Sequence, residues 1–310
     1  DEDLLTRDVI IAGNIADTTF ENQNYRTPFR AWRIMDGTEN EGYIPFKIGF
    51  SDWVGNVGDT VEATTDETSI LFDMTPPADF ELDTVFVSGG NIVLGYWNST
   101  NDSVTLKVPV PADDETLIGG IFQPQVRFGD SSFINLGNEI SITGGLSIGN
   151  MELKITRSEF VAMDGFDEGE NARFTAIARD KAGNETIGTS DNSILHIDET
   201  VPELTSVNIY SNNELDTTLV KVSDNITLTY MGSEGLFSPV GIMILDTLEF
   251  TATYAGTNWD GIRAMVQGDP EGIIPFYITY RDTAGNEGIL VSETTNGSSV
   301  LFDKTNPLIS

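Results

Sequence analysis

The chain has no cysteine and a single histidine among its 310 residues. Without cysteine it can form neither a disulfide nor a thiolate metal site. It also lacks any apolar run of the about 18 residues that a membrane-spanning helix needs. No window shows a helical period of 3.6 over about ten residues. These absences exclude a disulfide-stapled scaffold, a cysteine nucleophile and a bilayer-spanning helix in this segment.

Basic residues are scarce, since 16 Lys and Arg stand against 49 Asp and Glu and leave a formal net charge of −33. The acidic residues are spread along the chain. Such a field repels phosphate backbones and anionic membranes, and it attracts divalent cations. We therefore expect no nucleic-acid partner and no direct membrane insertion. Solubility in a salty habitat is an alternative cause of the charge.

One turn occurs three times, as Asp52–Asn56, Asp180–Asn184 and Asp282–Asn286. Each copy follows an alternating segment, such as Phe46-Lys47-Ile48-Gly49-Phe50 before the first turn. Alternation with period two is typical of a strand with one buried and one exposed face. Gly before the final Asn tolerates a positive φ, and Asp and Asn can bond nearby main-chain groups. The motif predicts strand, tight turn, strand.

A second segment recurs downstream of each turn, an apolar strand that ends in Asp73, Asp198 or Asp303 and runs into a Thr/Pro linker. A Glu-Gly pair also recurs upstream, at residues 41–42, 168–169 and 271–272. Blocks that agree over this length indicate an internal repeat. We divide the chain into module one (1–74), module two (75–199) and module three (200–304), with 305–310 as the start of a further module.

Several short strands with turn signals between them predict an all-β fold of antiparallel β-sandwiches. Module one has no counterpart of the first two strands; residues 8–11 would be a middle strand, and 30–32 align loosely with 263–265. We therefore expect the parent chain to extend in both directions. Module two carries extra residues within 109–150, interpreted as an added hairpin or loop that offers a contact surface.

The copies at 276–286 and 299–307 resemble the tandem bacterial Ig-like domains of prokaryotic surface proteins, namely large adhesins and S-layer proteins. The resemblance covers most of modules two and three and the C-terminal half of module one. It implies tandem Ig-like modules, an extracellular location at the cell surface, a non-enzymatic role and calcium at the junctions between domains. The partners it implies are neighbouring modules of one longer chain, together with lateral self-association or a cell-surface partner.

The residues themselves also point to calcium. In an Ig-type sandwich the Asp that ends one module lies near the turn Asp of the next. Carboxylates, Asn carbonyls and turn carbonyls are ligands that calcium accepts. Capping of turn N–H groups by the same side chains is the alternative. The predicted ligands are Asp73, Asp180 and Asn184 at the first junction and Asp198, Asp282 and Asn286 at the second.

Two other functions have some support in the sequence. His196 could act as a base beside Asp198 and Ser193, but alternate residues of a strand point to opposite faces, which disfavours a triad. The four Trp residues could stack on sugars, as in an accessory module of a secreted hydrolase, although core packing is the more ordinary role. We expect no enzyme activity. Asn-x-Ser/Thr sequons occur at Asn98, Asn101, Asn184, Asn225 and Asn296.

Overall fold

The structure is a computed structural model, and it describes residues 4–20, 29–110, 114–143, 149–190, 192–237, 241–249, 253–255 and 258–308. Nearly all of its regular structure is β-strand, arranged in several mainly antiparallel sheets. The predicted all-β sandwich class is thereby confirmed. Among the described residues no helix is long and apolar enough to cross a membrane.

Module one has three small sheets, in which β1 lies between β2 and β6, β3 pairs with β4, and β5 pairs with β7. Residues 8–11 lie in β1 and pair with β6, the strand before the turn, as a middle strand should. The strands are β1 Leu4–Ile11, β2 Asn14–Ile15, β3 Asp17–Phe20, β4 Phe29–Trp32, β5 Gly42–Tyr43, β6 Phe46–Asp52 and β7 Leu71–Phe72.

Module two has a three-stranded sheet in the order β14-β10-β8 and a seven-stranded sheet built around β11 and β15. The strands are β8 Thr84–Ser88, β9 Tyr96–Asn98, β10 Ser103–Val110, β11 Ile121–Phe128, β12 Ile134–Asn135, β13 Ile140–Ser141, β14 Gly149–Thr156, β15 Asn171–Arg179, β16 Glu185–Ile187 and β17 Leu195–Asp198. A 3-10 turn spans Glu115–Leu117, and the helix α1 spans Arg157–Val161.

Module three has sheets in the orders β18-β20-β24-β23, β19-β27-β25 and β22-β21-β26. The strands are β18 Leu204–Ser211, β19 Leu219–Val220, β20 Asn225–Gly232, β21 Gly241–Ile244, β22 Thr247–Glu249, β23 Thr253–Ala255, β24 Asn258–Ala264, β25 Gly272–Ile273, β26 Phe276–Thr279 and β27 Leu301–Phe302.

Two strand pairs among the described residues are parallel. The last strand of module two, β17, runs alongside β9, and the last strand of module three, β27, runs alongside β19. In both modules an early edge strand therefore pairs with the final strand. Alternation along a strand does not distinguish parallel from antiparallel neighbours, so the sequence did not predict these pairs.

In the described parts of the chain, buried apolar side chains form two separate clusters. One consists of residues between Leu82 and Ile197, and the other of residues between Val207 and Phe302. Trp97 and Phe160 meet edge to face in the first cluster, with ring centroids 4.9 Å apart. Each cluster lies within the range of one predicted module.

The segment 109–150 of module two contributes to its core. Phe122, Val126, Leu136 and Ile142 all lie within 109–150 and are at most 1% exposed. The strand β11 pairs with β15 along its whole length, and β12 and β13 cover its other edge. The segment therefore forms strands and a buried layer. Because β11 pairs with β15 as β21 pairs with β26 in module three, β11 belongs to the repeat, and the contact surface formed by the added residues stays a prediction.

The short helix α1 begins with a capping box. Thr156 accepts from the Glu159 main-chain N–H, and the Glu159 side chain accepts from the Thr156 N–H at 2.9 Å. The sequence signal is Thr-x-x-Glu before an apolar pair, which a search for long helical periods does not detect. The helix places Phe160 in the core.

Modules one and three share detailed contacts. The Ala12 N–H donates to the Pro45 carbonyl at 2.9 Å, as Leu245 does to Pro275 at 3.1 Å. Arg33 pairs with Glu39 at 2.6 Å, as Arg263 does with Asp269 at 2.7 Å. Residues 33–35 therefore correspond to 263–265, which corrects the loose alignment of 30–32 by three positions.

Candidate metal centre at the junction of modules two and three

The three repeated turns have one geometry, in which the Asp carboxylate binds the turn's main chain. In the third turn Asp282 Oδ1 accepts from the N–H groups of Gly285 and Asn286, at 2.7 and 2.9 Å. Asn286 Nδ2 donates to Asp282 Oδ2 at 2.8 Å. Gly285 has φ +100°, in the left-handed region that favours glycine. Capping is therefore present in the turn, whether or not a cation is added.

The predicted pairs across the junctions do meet. Asn286 Nδ2 donates to the Asp198 carbonyl at 2.9 Å, and Asn184 Nδ2 donates to the Asp73 carbonyl at 3.2 Å. Asn286 Oδ1 also accepts from the main chain of Ser99 at 2.8 Å and from its hydroxyl at 2.6 Å. Both Asn side chains thus act as braces between modules, because each amide nitrogen donates to the carbonyl of the Asp that ends the preceding module.

The third turn inserts into a loop of module two. Asn98, which is fully buried, donates through Nδ2 to the Ala284 carbonyl at 2.7 Å. Asn91 donates to the Gly285 carbonyl at 3.0 Å. The sequons at Asn98 and Asn101 therefore mark a structural loop, since both side chains are buried. A buried amide is unavailable to a glycan, so these two sequons give no support to a glycosylated surface.

The glutamates of the repeated Glu-Gly pairs bind the residue that follows each strand-ending Asp. Each carboxylate accepts from that residue's main-chain N–H, at 2.7 to 2.9 Å. The pairs are Glu41 with Met74, Glu168 with Glu199 and Glu271 with Lys304. The sequence analysis identified these pairs without assigning them a role. Their position beside the strand-ending Asp brings an extra carboxylate to each module end.

At the second junction, carboxylate oxygens of Asp198, Glu234 and Asp282 lie within 4.8 Å of one another. Asp282 is fully buried, and Asp198 and Glu234 are half-buried. Asp198 comes from the end of β17, Asp282 from the third turn, and Glu234 from the loop after β20. Two of these three were predicted, and Glu234 was missed because nothing in its local sequence relates it to a junction.

Burial and the neighbouring acids raise the pKa of two members of the cluster, Asp198 and Glu234. Burial, followed by the charges of Asp282, Glu168 and Glu234, raises the pKa of Asp198 to about 7. Burial, followed by the charges of Asp282 and Glu168, raises the pKa of Glu234. Like charges and desolvation both disfavour ionisation. Full ionisation of Asp198 and Glu234 at neutral pH is therefore unfavourable without a nearby positive charge.

The donor set fits a hard divalent cation. All the side-chain ligand atoms are carboxylate oxygens, and because they lie within 4.8 Å of one another a single ion can contact them at about 2.3 to 2.6 Å. Zinc and copper sites usually include His or Cys, which are absent from this cluster. Asp198, Glu234 and Asp282 would hold the ion, with Glu168 beside them.

The first junction differs in its acids. Asp73 Oδ1 accepts from the Thr75 N–H at 3.0 Å, while its Oδ2 is buried and has no hydrogen-bond partner. No three-carboxylate cluster occurs here among the described parts of the chain. The counterpart of the Glu234 loop follows β10 at residues 111–113, which lie outside the described residues.

The residues of the alternative functions are dispersed. His196 is exposed on β17, with its ring 5.5 Å from that of Tyr96. Trp97 and Trp259 are core residues, exposed by 0% and 3%. Trp32 and Trp53 are exposed by 47% and 54%, which gives the sugar-stacking alternative two candidate side chains.

No family model matches this chain. No curated protein matches it either. Among solved structures it is similar to one from a study of the host cell surface retention of a 1.5-MDa bacterial ice-binding adhesin. That similarity has a TM-score of 0.33 and 12% sequence identity, and it covers 96% of this chain and 83% of the other.

Proposed function

We propose that this chain is a structural, non-catalytic array of Ig-like modules from a prokaryotic cell-surface protein, either an S-layer subunit or the stalk of an adhesin. In this proposal calcium at the junctions sets the angle between successive modules. The observation that carries it is the cluster of Asp198, Glu234 and Asp282 between two separate hydrophobic cores. A cation at this position would link two modules, because the three acids come from both sides of one junction.

The physical step is a balance of charge. Without a cation, the carboxylates of module two and module three repel across the junction. A shared cation replaces that repulsion with attraction to a common centre. The neighbouring braces, such as the bond from Asn286 to the Asp198 carbonyl, keep the two sides close enough for one ion to reach both. Calcium then stiffens the junction and stabilises it through binding linkage.

Small-angle scattering and calorimetry test this function. We expect the chain to become longer and to melt at a higher temperature in calcium than in chelator. The paired change Asp198→Asn and Glu234→Gln should abolish both responses. Asp303→Asn is the matched control, because Asp303 ends the corresponding strand of module three yet belongs to no such cluster among the described residues. Identical scattering and melting in calcium and chelator would refute the calcium hinge.

The two biological settings differ in lateral association. An S-layer subunit should form sheets when the purified chain is concentrated with calcium, whereas a stalk should stay monomeric; electron microscopy distinguishes them. A glycan array tests the competing role in sugar binding, with Trp32→Ala and Trp53→Ala as the relevant variants. Specific glycan binding that these variants remove would replace the structural proposal.

A further inference from the structure

The outer face of the seven-stranded sheet of module two has two arginines side by side. The residues that flank Arg127 in β11 and Arg173 in β15 are buried in the core, so both arginine side chains lie on the opposite face. The two arginines are register partners across the strand pair, and both are half-buried. Like charges directly opposite each other on one face of a sheet repel.

Neither arginine has a counter-charge in the part of the chain that the structure describes. Arg179, on the same strand β15, pairs with Glu139 at 3.0 Å and with Glu185 at 2.6 Å. Arg127 and Arg173 form no ion pair among the described residues, although Asp and Glu outnumber Lys and Arg by 49 to 16 in the whole sequence. The Nε atom of Arg127 is also buried without a hydrogen-bond partner.

The neighbours of the two arginines on this face are aromatic, imidazole and amide side chains. The Arg127 guanidinium lies over the Phe133 ring, 5.0 Å from its centroid. Asn171 of β15 is the register partner of His196 in β17, and the His196 ring is 5.5 Å from that of Tyr96 in β9. Asn171 Oδ1 is buried and has no hydrogen-bond partner. The arginine face is defined by Tyr96, Arg127, Phe133, Asn171, Arg173 and His196.

The composition of the arginine face is typical of a contact between proteins. Arginine and aromatic residues are enriched in such contacts, whereas Lys, Asp and Glu are depleted, and the face includes none of these three. The face lacks negative charge, which a second copy of the chain offers in excess with its formal net charge of −33. Repulsion between the copies as wholes is screened beyond about 8 Å at physiological ionic strength, so local charge pairs decide the contact.

We propose that the arginine face binds carboxylates on a neighbouring copy of this chain. The face is not complementary to itself, because two copies that met through it would bring like charges together. It therefore joins a different, acidic surface of the neighbour, and a contact between two different surfaces continues past a dimer into larger assemblies. This inference rests on the proposed function and deepens it, since it names a surface for lateral association of an S-layer subunit.

Sedimentation velocity of the whole 310-residue chain, in calcium and at physiological salt, tests the contact. We expect the mean sedimentation coefficient to rise with protein concentration past the value of a dimer. The paired change Arg127→Gln and Arg173→Gln should weaken this association by about tenfold or more, as the loss of central interface arginines does. Lys154→Glu is the control, because it changes the net charge by the same amount from an exposed position on β14, in the other sheet of module two.

Two measurements distinguish a contact residue from a structural one. Arg173→Gln alone should weaken association without lowering the melting temperature of the monomer, because it removes a repulsion between neighbouring strands. Hydroxyl-radical footprinting should show protection of Tyr96 and Phe133 in the associated chain. The paired variant should lose that protection.

Three results would overturn the proposal: a chain that stays monomeric at every concentration, equal association of the paired variant, or a dimer that grows no further. Binding of dextran sulfate to the arginine face of a monomeric chain would also overturn it, by assigning the face to an acidic polysaccharide. Failure of the proposed function is distinguishable from these results. A monomeric stalk would still show the calcium responses in scattering and melting, whereas loss of those responses would refute the calcium hinge.

Discussion

Single residues decide how firmly one module sits on the next. A Cβ on Gly285 would lie 3.0 Å from Asn98 Nδ2 and 3.0 Å from Val93 Cγ2, both in module two. The equivalent Gly183 has open space around it, and both glycines have a positive φ, +100° and +103°. Backbone conformation demands glycine in both turns, whereas close packing against a neighbouring module demands it only in the third turn.

The two glycines allow this contact to be measured. Gly183→Ala should cost about 1 kcal/mol of unfolding free energy from its left-handed conformation alone. Gly285→Ala should cost more and should also loosen the second junction, because the new methyl group pushes against Asn98. Denaturant unfolding gives the energies, and hydrogen exchange of residues 91–101 reports the loosening. Equal effects of the two changes would mean that the junction is not tightly packed in solution.

The carboxylates of the second junction should make stability depend on pH. The folded pKa of Asp198, about 7, lies above the ordinary value of 3.8. The folded state therefore binds more protons than the unfolded state between these values, and stability falls as pH rises from about 4 to 7. Melting curves in chelator should show this fall. Asp198→Asn should reduce it, and calcium should oppose it by favouring the ionised cluster.

At the scale of elements, the segment 109–150 combines a strand of the repeat with the added length of module two. It supplies β11, which lies between β15 and the two short strands β12 and β13. Leu136, next to β12, is fully buried, while Ile134 within β12 is 36% exposed. The strand pattern in the sequence was visible, but the face of the sandwich it completes was not.

Alanine substitutions separate these two positions. Leu136→Ala should destabilise module two by about 2 to 5 kcal/mol, the usual cost of a cavity at a buried leucine. Ile134→Ala is the control and should cost less, because its side chain already contacts water. Thermal unfolding of the whole chain measures both. A small effect of Leu136→Ala would favour the interpretation of this segment as a hairpin or loop added at the surface.

At the scale of the whole molecule, module one differs from the other two. Buried hydrophobic clusters occupy modules two and three, while Phe46 and Ile48 of module one stay half-exposed. Their counterparts Phe276 and Ile278 are buried under β18 and β20. The described residues of module one thus share hydrogen bonds with module three but bury less apolar surface, and we expect this part of the given chain to be the least stable region.

Native-state hydrogen exchange compares equivalent amides directly. The Ile48 N–H donates to the Val61 carbonyl at 2.9 Å, and the Ile278 N–H to the Val291 carbonyl at 2.8 Å. We expect Ile48 to exchange faster, since its module opens at a lower free energy. Equal protection of the two amides would show that the apolar side chains of module one are covered in solution.

The sequence alone determined the strands and turns. The turn Asp282–Asn286 and its two relatives were recognisable because Gly, Asp and Asn have local conformational preferences that act within a few residues. The pairing of Asp198 with the third turn followed from the order of the strands. The all-β class followed from period-two alternation, which reports one buried face for each strand.

Only the tertiary structure decided which partners those elements meet. Glu234 joins Asp198 and Asp282 because the loop after β20 lies at the same junction, a relation between distant segments that no local pattern encodes. Ile70 is exposed, whereas Val300 at the equivalent place of module three is buried, a difference that the two similar sequences do not show. Burial depends on what covers a face, and the covering strand is distant in sequence, so local sequence cannot specify it.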